Sequence, residues 1–286
     1  MKELLRAAYS QFEKNQIATV DAELLLAHLL GVSRKQIHSQ LIELNDSDRE
    51  KISAEFNDLI KQRLSGRPVQ YITGSAAFRY LELEVGEGVL IPRPETELLV
   101  DRVIGYLNSA ADKEQSKSII ELGAGSGAIS IAIASEATLK SLKVSMVAVE
   151  KSPEAAAWLN KNIAKYDLPI RVVIEDVASA LPDIKADVVV ANPPYIPNDE
   201  KLPIEVAKFE PEMALRGGPV NGMQMPKLFI EAATRLLKPG GFFITEHHEK
   251  QGELIRSVLA KDYLPAQTHA DLTGRDRFTS AIKRFG

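Results

Sequence analysis

Cysteine is absent from the 286 residues. That excludes disulfides, a thiol nucleophile and any zinc site built on thiolates, and it agrees with a reducing compartment. A basic surplus is also missing. The chain has 35 Lys and Arg against 39 Asp and Glu, a formal net charge of -4. Sequence-independent nucleic-acid binding usually rests on a basic face, so this balance argues against a stable nucleic-acid partner. No run of Lys or Arg interleaved with aromatics is present. Long hydrophobic runs are lacking as well. The most apolar segment, residues 118–134, is broken by Glu121 and three glycines and is too short to span a bilayer. The opening MKELLRAAYSQFEKN is charged throughout and lacks the apolar core of a signal peptide. A cytoplasmic protein without membrane association is expected.

What is present describes a globular chain: 45% hydrophobic and 26% charged residues, at a length that suggests about two domains. Two textures divide it. Residues 1–66 read as helical, with apolar residues at helical spacing. Thr19 or Asp21 can cap AELLLAHLL, and Gly31 sits where a helix C-terminus favours a left-handed residue. Ser33 with Gln36, and Ser47 with Glu50, have capping-box spacing. A third helix is expected from about Asp48 to Leu64, ending at Ser65-Gly66. Residues 1–72 carry ten basic and ten acidic side chains, so the bundle suits protein docking or a structural role better than DNA. Residues 67–92 alternate apolar positions (Leu81, Leu83, Val85) with Gly punctuation and read as a hairpin connector. Residues 93–286 then open on a helix over PETELLVDRVIGYL, with Pro94 in its first turn.

Strands and helices alternate from there. SIIEL, KVSMVAVE, RVVIED, ADVVVAN and GFFITE read as strands; AISIAIAS, SPEAAAWLNKNIAKY and KLFIEAATRLLK read as helices, the last stopped by KPGG. Such alternation specifies an α/β domain with a mostly parallel sheet, whose ligands bind beyond the carboxyl ends of the strands.

Three strand ends carry the chemistry. The first is ELGAGSGA, residues 121–128, in which Gly123, Gly125 and Gly127 permit a tight turn and close approach to a ligand, with Ala124 and Ser126 between them. The spacing also satisfies the dinucleotide fingerprint, so it does not choose between NAD and S-adenosylmethionine. The second is Glu150, placed to accept from two ribose hydroxyls, a group both cofactors share. Asp176, after the next strand, is a candidate beside the adenine.

The third does choose. Asn192-Pro193-Pro194-Tyr195 ends a buried Val-Val-Val strand. The prolines fix φ and remove donors, leaving a rigid turn rich in acceptors. The Asn192 side-chain oxygen and the Pro193 carbonyl can accept both N–H bonds of one planar NH2 group, with Tyr195 against its flat face. An amide nitrogen is a poor nucleophile; two acceptors hold it and favour developing positive charge on it. Nothing in NPPY serves hydride transfer.

These residues resemble a known family. The chain is similar to class I S-adenosylmethionine-dependent methyltransferases of the NPPY type, and more narrowly to the release-factor glutamine methyltransferases (PrmC/HemK). The resemblance covers nearly the whole chain and rests on RPVQYITG (67–74), VLIPRPETELLV (89–100), ELGAGSGAISIAIA (121–134), NPPYIP (192–197), FEPEMALRGG (209–218) and DLTGRDRF (271–278). It implies a Rossmann-like domain with a mostly parallel seven-stranded sheet over residues 93–286. It implies that residues 1–66, with the 67–92 connector, recruit a class-1 peptide chain release factor. The implied reaction is methylation of the side-chain amide of the glutamine in that factor's Gly-Gly-Gln motif, a step that serves translation termination. Asn192 and the Pro193 carbonyl would hold the amide, and Pro194 and Tyr195 would wall it in. The glycine loop, Glu150, Asp176 and Val177 would hold S-adenosyl-L-methionine, with Asn192 alongside and Glu121 near its methionine end. No metal is implied, and a monomer is expected.

The chain departs from the family pattern at Glu150, where Asp is commoner; at Val177, where some members carry Trp; at Asn221, where an acid is usual; and at His247-His248. The adjacent histidines project to opposite faces and suit packing or solvent better than one metal. Trp158 reads as core or rim, and Arg275, Asp276 and Arg277 as an ion network in a C-terminal hairpin. The competing readings are methylation of an exocyclic amine in DNA or RNA, which predicts a basic recognition region; a NAD-dependent oxidoreductase, which leaves NPPY unexplained; and a binding module without catalysis, for which loss of Asn192 or the glycines would be expected.

Overall fold

The computed structural model describes residues 2–38, 46–109 and 115–285. The chain divides into two compact units, one of Met1–Ser75 with Leu202–Phe209, the other of Ala76–Lys201 with Glu210–Gly286.

The first unit contains α1 (Lys2–Lys14), α2 (Val20–Leu30), α3 (Arg34–His38), α4 (Asp46–Leu64) and α5 (Val69–Thr73). Its core gathers Leu5, Phe12, Leu25, Leu26, Phe56 and Ile60, the apolar stripe of each long helix. Gly31 ends α2 in the left-handed region at φ 62°. One half of the Ser33–Gln36 box forms: the Ser33 N–H donates to Gln36 Oε1 at 2.8 Å, while the Ser33 hydroxyl donates to the same oxygen at 2.8 Å and the Gln36 N–H goes to the Ser33 carbonyl. Two expected caps do not form. Thr19 precedes α2 without a side-chain cap, and Asp21 instead accepts from Arg63 Nε at 2.7 Å in the buried interior. α4 begins at Asp46, which puts Ser47 inside its first turn. It is the fourth helix, not the third, because α3 precedes it. Part of the expectation that residues 1–66 are wholly helical falls on 39–45, outside the described residues.

Residues 67–92 are only partly hairpin. Pro68 and Gly74 bracket α5, Pro68 just before it and Gly74 as a left-handed C-cap at φ 73°. The hairpin is β1 (Ser75–Phe78) and β2 (Leu81–Glu84), with Leu81 and Leu83 inward as the alternation required. Arg79 turns it at a positive φ of 54°. Glu97 accepts from its backbone N–H, and Glu136 and Asp101 pair with its guanidinium.

In the second unit a 3-10 turn, Pro94–Thr96, leads into α6 (Glu97–Ser109). There follow β3 (Lys117–Leu122), α7 (Ala128–Leu139), β4 (Val144–Glu150), α8 (Pro153–Tyr166), β5 (Ile170–Ile174), β6 (Ala186–Ala191) and β7 (Ile196–Pro197). The chain visits the first unit for α9 (Ile204–Phe209), held by Arg63 to Glu205 at 2.9 Å. It returns for β8 (Arg216–Gly218), α10 (Gln224–Leu236), β9 (Leu237–Glu246), α11 (Gly252–Leu259), β10 (Gln267–Ala270) and β11 (Asp276–Ile282).

The main sheet has seven strands in the order β10-β11-β9-β6-β3-β4-β5, in which β11 alone runs opposite to the rest, pairing antiparallel with β9 on one side and β10 on the other. Its central strands are covered on both faces, which explains their unbroken apolar runs: Val188, Val189 and Val190 are all fully buried. Alternate residues feed opposite cores. Ile119, Val188 and Val190 join one with α6 and α7, while Ile120, Val189 and Ala191 join the other with α10 and α11. β9 starts directly from α10, so KPGG is not a free turn. Pairing runs Ala186–Leu237 and then shifts to Val188–Phe242, and Gly240 at φ 76° lies within that irregularity.

Chain order reverses at β3, which has β4 on one side and β6 on the other. A crevice opens at the carboxyl ends of strands at such a switch point. Asn162, fully buried on α8, braces its rim. Its Oδ1 accepts from Glu84 N–H at 2.7 Å, and its Nδ2 donates to the carbonyls of Glu84 and Ser126 at 2.9 and 3.0 Å. Asn162→Ala leaves these buried groups without their partner and is expected to destabilise the protein by about 1–3 kcal/mol. Urea unfolding would read this as a lower midpoint with an unchanged slope.

Candidate active site

β3, β4 and β6 end side by side, and the three motifs follow their last residues. After β3, Gly123, Gly125 and Gly127 all adopt the left-handed region, at φ 70°, 55° and 84°. Two of them are also crowded: a Cβ on Gly127 would lie 2.5 Å from Leu159 Cδ1, and one on Gly123 3.0 Å from Phe229 Cε1. Nothing lies within 4 Å of a Cβ on Gly125, so bare backbone faces open space there. The Gly125 N–H donates to Glu150 Oε2 at 2.8 Å, and the Ser152 N–H donates to Oε1 at 2.8 Å. The acid that ends β4 thus sets the shape of the loop that follows β3.

These residues line a cavity of about 420 Å³, within the range of small-molecule sites. Glu121, Gly123, Ala124, Gly125 and Ser126 form one wall; Glu150, Asp176 and Val177 form another; Asn192 and Pro194 close on them. Gly127, Pro193 and Tyr195 do not line it. Gly127 instead precedes α7 and packs on Leu159.

Glu121 is 1% exposed. It accepts from the Ser130 N–H at 2.9 Å and from the Ser130 hydroxyl. Burial pushes its carboxyl up to about 8, against the Ser130 hydrogen bonds and with a smaller push from Glu150. Asp176 accepts from Lys151 Nζ at 2.7 Å and from the Ala178 N–H at 3.0 Å; these bonds, Lys151 first, hold its carboxyl below the usual range.

The NPPY turn is supported from behind. Asn192 Nδ2 donates to Thr96 Oγ1 at 3.2 Å, Thr96 donates to Glu246 Oε2 at 2.6 Å, and the Tyr195 hydroxyl donates to Glu246 Oε1 at 2.9 Å. Burial pushes both Tyr195 and Glu246 upward. Gln251 Nε2 donates to the carbonyls of Tyr195 and Asn221 at 2.9 and 2.6 Å. Gly222 packs so closely that a Cβ would lie 2.1 Å from the Tyr195 carbonyl oxygen. Asn221 itself adopts φ 52°, a conformation Asn tolerates well. Arg93 and Glu210 join two further lining segments, with Nη2 to Oε1 at 2.6 Å and the Ile91 N–H on the other oxygen at 3.1 Å. Thr96 and Arg93 lie in VLIPRPETELLV and Glu210 in FEPEMALRGG, and no role for them follows from the sequence. Their only local signal was polar residues among prolines.

The histidine pair diverges. His247 is fully buried, with Nδ1 2.9 Å from the His248 carbonyl and Nε2 2.8 Å from Thr279 Oγ1. The carbonyl can only accept, so Nδ1 carries the proton and Nε2 accepts from Thr279. Burial lowers the His247 pKa. His248 Nδ1 accepts from the Lys250 N–H at 3.2 Å. Among the described residues no cluster of three or more His, Asp or Glu is arranged to hold a metal ion. Trp158 sits at a rim, its Nε1 donating to the Glu87 carbonyl at 3.1 Å. Arg275 and Arg277 pair with Glu249 and Asp271, at 3.7 and 3.4 Å, so the C-terminal ion pairs draw their acids from outside the triplet. No described helix is long and apolar enough to cross a membrane.

A parallel sheet that reverses at β3, with a glycine loop and an acid at adjacent strand ends, is a Rossmann-like architecture, and the matches that follow make it that of a class I S-adenosylmethionine-dependent methyltransferase. Residues 3–74 match the PrmC N-terminal domain and residues 98–208 the methyltransferase small domain. A release factor glutamine methyltransferase of Bifidobacterium longum is 36% identical over 295 residues, covering 98% of each chain. The enzyme of the same name from Salmonella typhimurium is 33% identical over 279 residues, covering 96% of each. The chain belongs to the release factor glutamine methyltransferase family. The fold is also that of the Thermus thermophilus 16S rRNA N2 G1207 methyltransferase RsmC, solved with AdoMet and guanosine: TM-score 0.51, 21% identity, 73% of this chain and 50% of that one.

The raised Glu121 carboxyl has a consequence for stability. Its ordinary value is 4.5 and its folded value about 8, so between these the unfolded chain releases the proton and the folded one keeps it. The contribution is complete below about 4.5 and is lost as pH rises to about 8. Glu121→Gln removes it. In urea unfolding without ligand, the variant is expected to gain on the parent steadily across that window; a pH-independent difference would rule the assignment out.

Proposed function

We propose that the protein methylates the side-chain amide nitrogen of the glutamine in the Gly-Gly-Gln motif of class-1 peptide chain release factors. The observation that carries this reading is convergence: Asn192 and Pro194 of the NPPY turn line one cavity with the glycine loop and its acids. The names of relatives similar over nearly the full length support the substrate.

The donor set fits S-adenosyl-L-methionine. Gly125 offers bare backbone, Glu150 has lone pairs left for ribose hydroxyls, Asp176 and Val177 flank the space suited to an adenine, and the Glu121 carboxyl suits the cationic methionine end. When bound, the cofactor supplies an electrophilic methyl carbon on a positively charged sulfur. Asn192 Oδ1 and the Pro193 carbonyl accept the two N–H bonds of the glutamine amide, which fixes the nitrogen and stabilises the positive charge it develops. Pro194 and Tyr195 limit its movement. The proton leaves that nitrogen afterwards, so no strong base is needed in the pocket. The products are N5-methylglutamine and S-adenosylhomocysteine. Residues 1–66, with the 67–92 connector, recruit the factor, and residues 93–286 carry the chemistry.

The test is methyl transfer from radiolabelled S-adenosylmethionine to a purified, unmodified class-1 release factor. Parallel samples contain a factor with Ala in place of the loop glutamine, and DNA or rRNA. Label on the intact factor alone is expected; label on nucleic acid would overturn the reading. Asn192→Ala is expected to lower turnover by about 10²–10³-fold while leaving S-adenosylhomocysteine binding largely intact. Near-normal turnover in that variant would refute the two-acceptor mechanism.

A further inference from the structure

The amide group of Asn192 has two faces of nearly equal shape, and only one of them accepts hydrogen bonds. Which face meets the substrate depends on what the other face meets. Asn192 meets Thr96 at 3.2 Å, and Thr96 meets Glu246 at 2.6 Å. Tyr195 occupies the second Glu246 oxygen at 2.9 Å. Thr96 is 4% exposed and Glu246 1%, so both are held largely out of bulk solvent.

The donor count then runs in one direction. A carboxylate only accepts, and a threonine hydroxyl has one proton. With that proton committed to Glu246, the Thr96 oxygen has only lone pairs to offer. The Asn192 group facing it must be the NH2, which turns Oδ1 away from Thr96. A Thr96 without this acceptor could donate to Oδ1 equally well, and the amide would then present a donor to an incoming N–H. Burial pushes the Glu246 carboxyl upward, while the Thr96 and Tyr195 hydrogen bonds and then the charge of Arg277 work against that push and favour the ionised, acceptor-only form.

We infer that Thr96 and Glu246 are positioning residues that orient the Asn192 amide, so that its oxygen is the atom offered to the substrate's NH2 group. Glu246 also holds the Tyr195 hydroxyl, so one carboxylate sets both polar side chains of the turn. The inference rests on the glutamine-amide reading above.

Thr96→Val keeps the side chain's shape and removes the hydroxyl, and Thr96→Ser keeps the hydroxyl. In the radiolabel assay with purified, unmodified class-1 release factor, Thr96→Val is expected to lower kcat by about tenfold to a hundredfold, the scale of a misoriented reacting group. KM for the factor, S-adenosylhomocysteine affinity and melting temperature are expected to stay close to the parent's. Thr96→Ser is expected to restore kcat to within about threefold of the parent. Parent protein that labels the factor while Thr96→Val keeps its kcat would overturn the inference and leave the reading of the reaction standing. Equal losses in both variants with a lowered melting temperature would also overturn it, assigning Thr96 to packing. Failure of the parent protein itself to label the factor would overturn the reading and this inference together.

Discussion

A buried carboxylate has to be hydrogen-bonded on both oxygens, and Glu246 shows what that demand does to the rest of the domain. It stands at the end of β9, beside β6, so it meets the turn that follows β6. Its partners come from two other places in the chain: Thr96 in the Pro-rich turn before α6, and Tyr195 in NPPY. Removing either partner would leave a buried carboxyl oxygen without its donor. The carboxylate therefore ties the loop before the first helix of the domain to the loop after its central strand, and Asn192 takes its place within that frame.

The opposite wall follows the same logic with backbone donors. Glu150 ends β4 and takes N–H groups from Gly125 and Ser152; Glu121 ends β3 and takes the N–H and hydroxyl of Ser130. Acids at the carboxyl ends of parallel strands meet the amides of the loops and helices that follow. Such amides are free donors at helix starts, and their hydrogen bonds partly offset the burial of the two acids. The two carboxyls still feel one another, and Glu150 adds to the upward push on Glu121. The cavity is thus lined by acids beside the glycine loop, with Asn192 and Pro194 across from them.

Much of this was legible in the sequence because the signals were local. The Gly123, Gly125 and Gly127 spacing, the apolar run before Asn192 and the acid that ends KVSMVAVE each lie within a dozen residues or fewer, and each has a short-range physical meaning. The corrections arise where a local signal was overruled. Asp21 had the chemistry of a cap but went to Arg63; KPGG had the composition of a turn but was absorbed into β9; VQYIT lay in a segment that read as hairpin and formed a helix between Pro68 and Gly74. In the first two cases the competitor was a tertiary partner that no window of sequence contains.

The sequence by itself determined the α/β alternation, the parallel core and the chemistry at three strand ends, because hydrophobic periodicity, glycine conformation and proline rigidity act over neighbouring residues. Only the tertiary structure decided which residues support that chemistry. Thr96 and Glu246, Arg93 and Glu210, Asn162 and Glu84, and Gln251 and Tyr195 are far apart along the chain, and nothing local marks any one of them as the partner of the other. They meet because parallel strands deliver all their carboxyl ends to one edge, where buried polar groups must find one another in the absence of water.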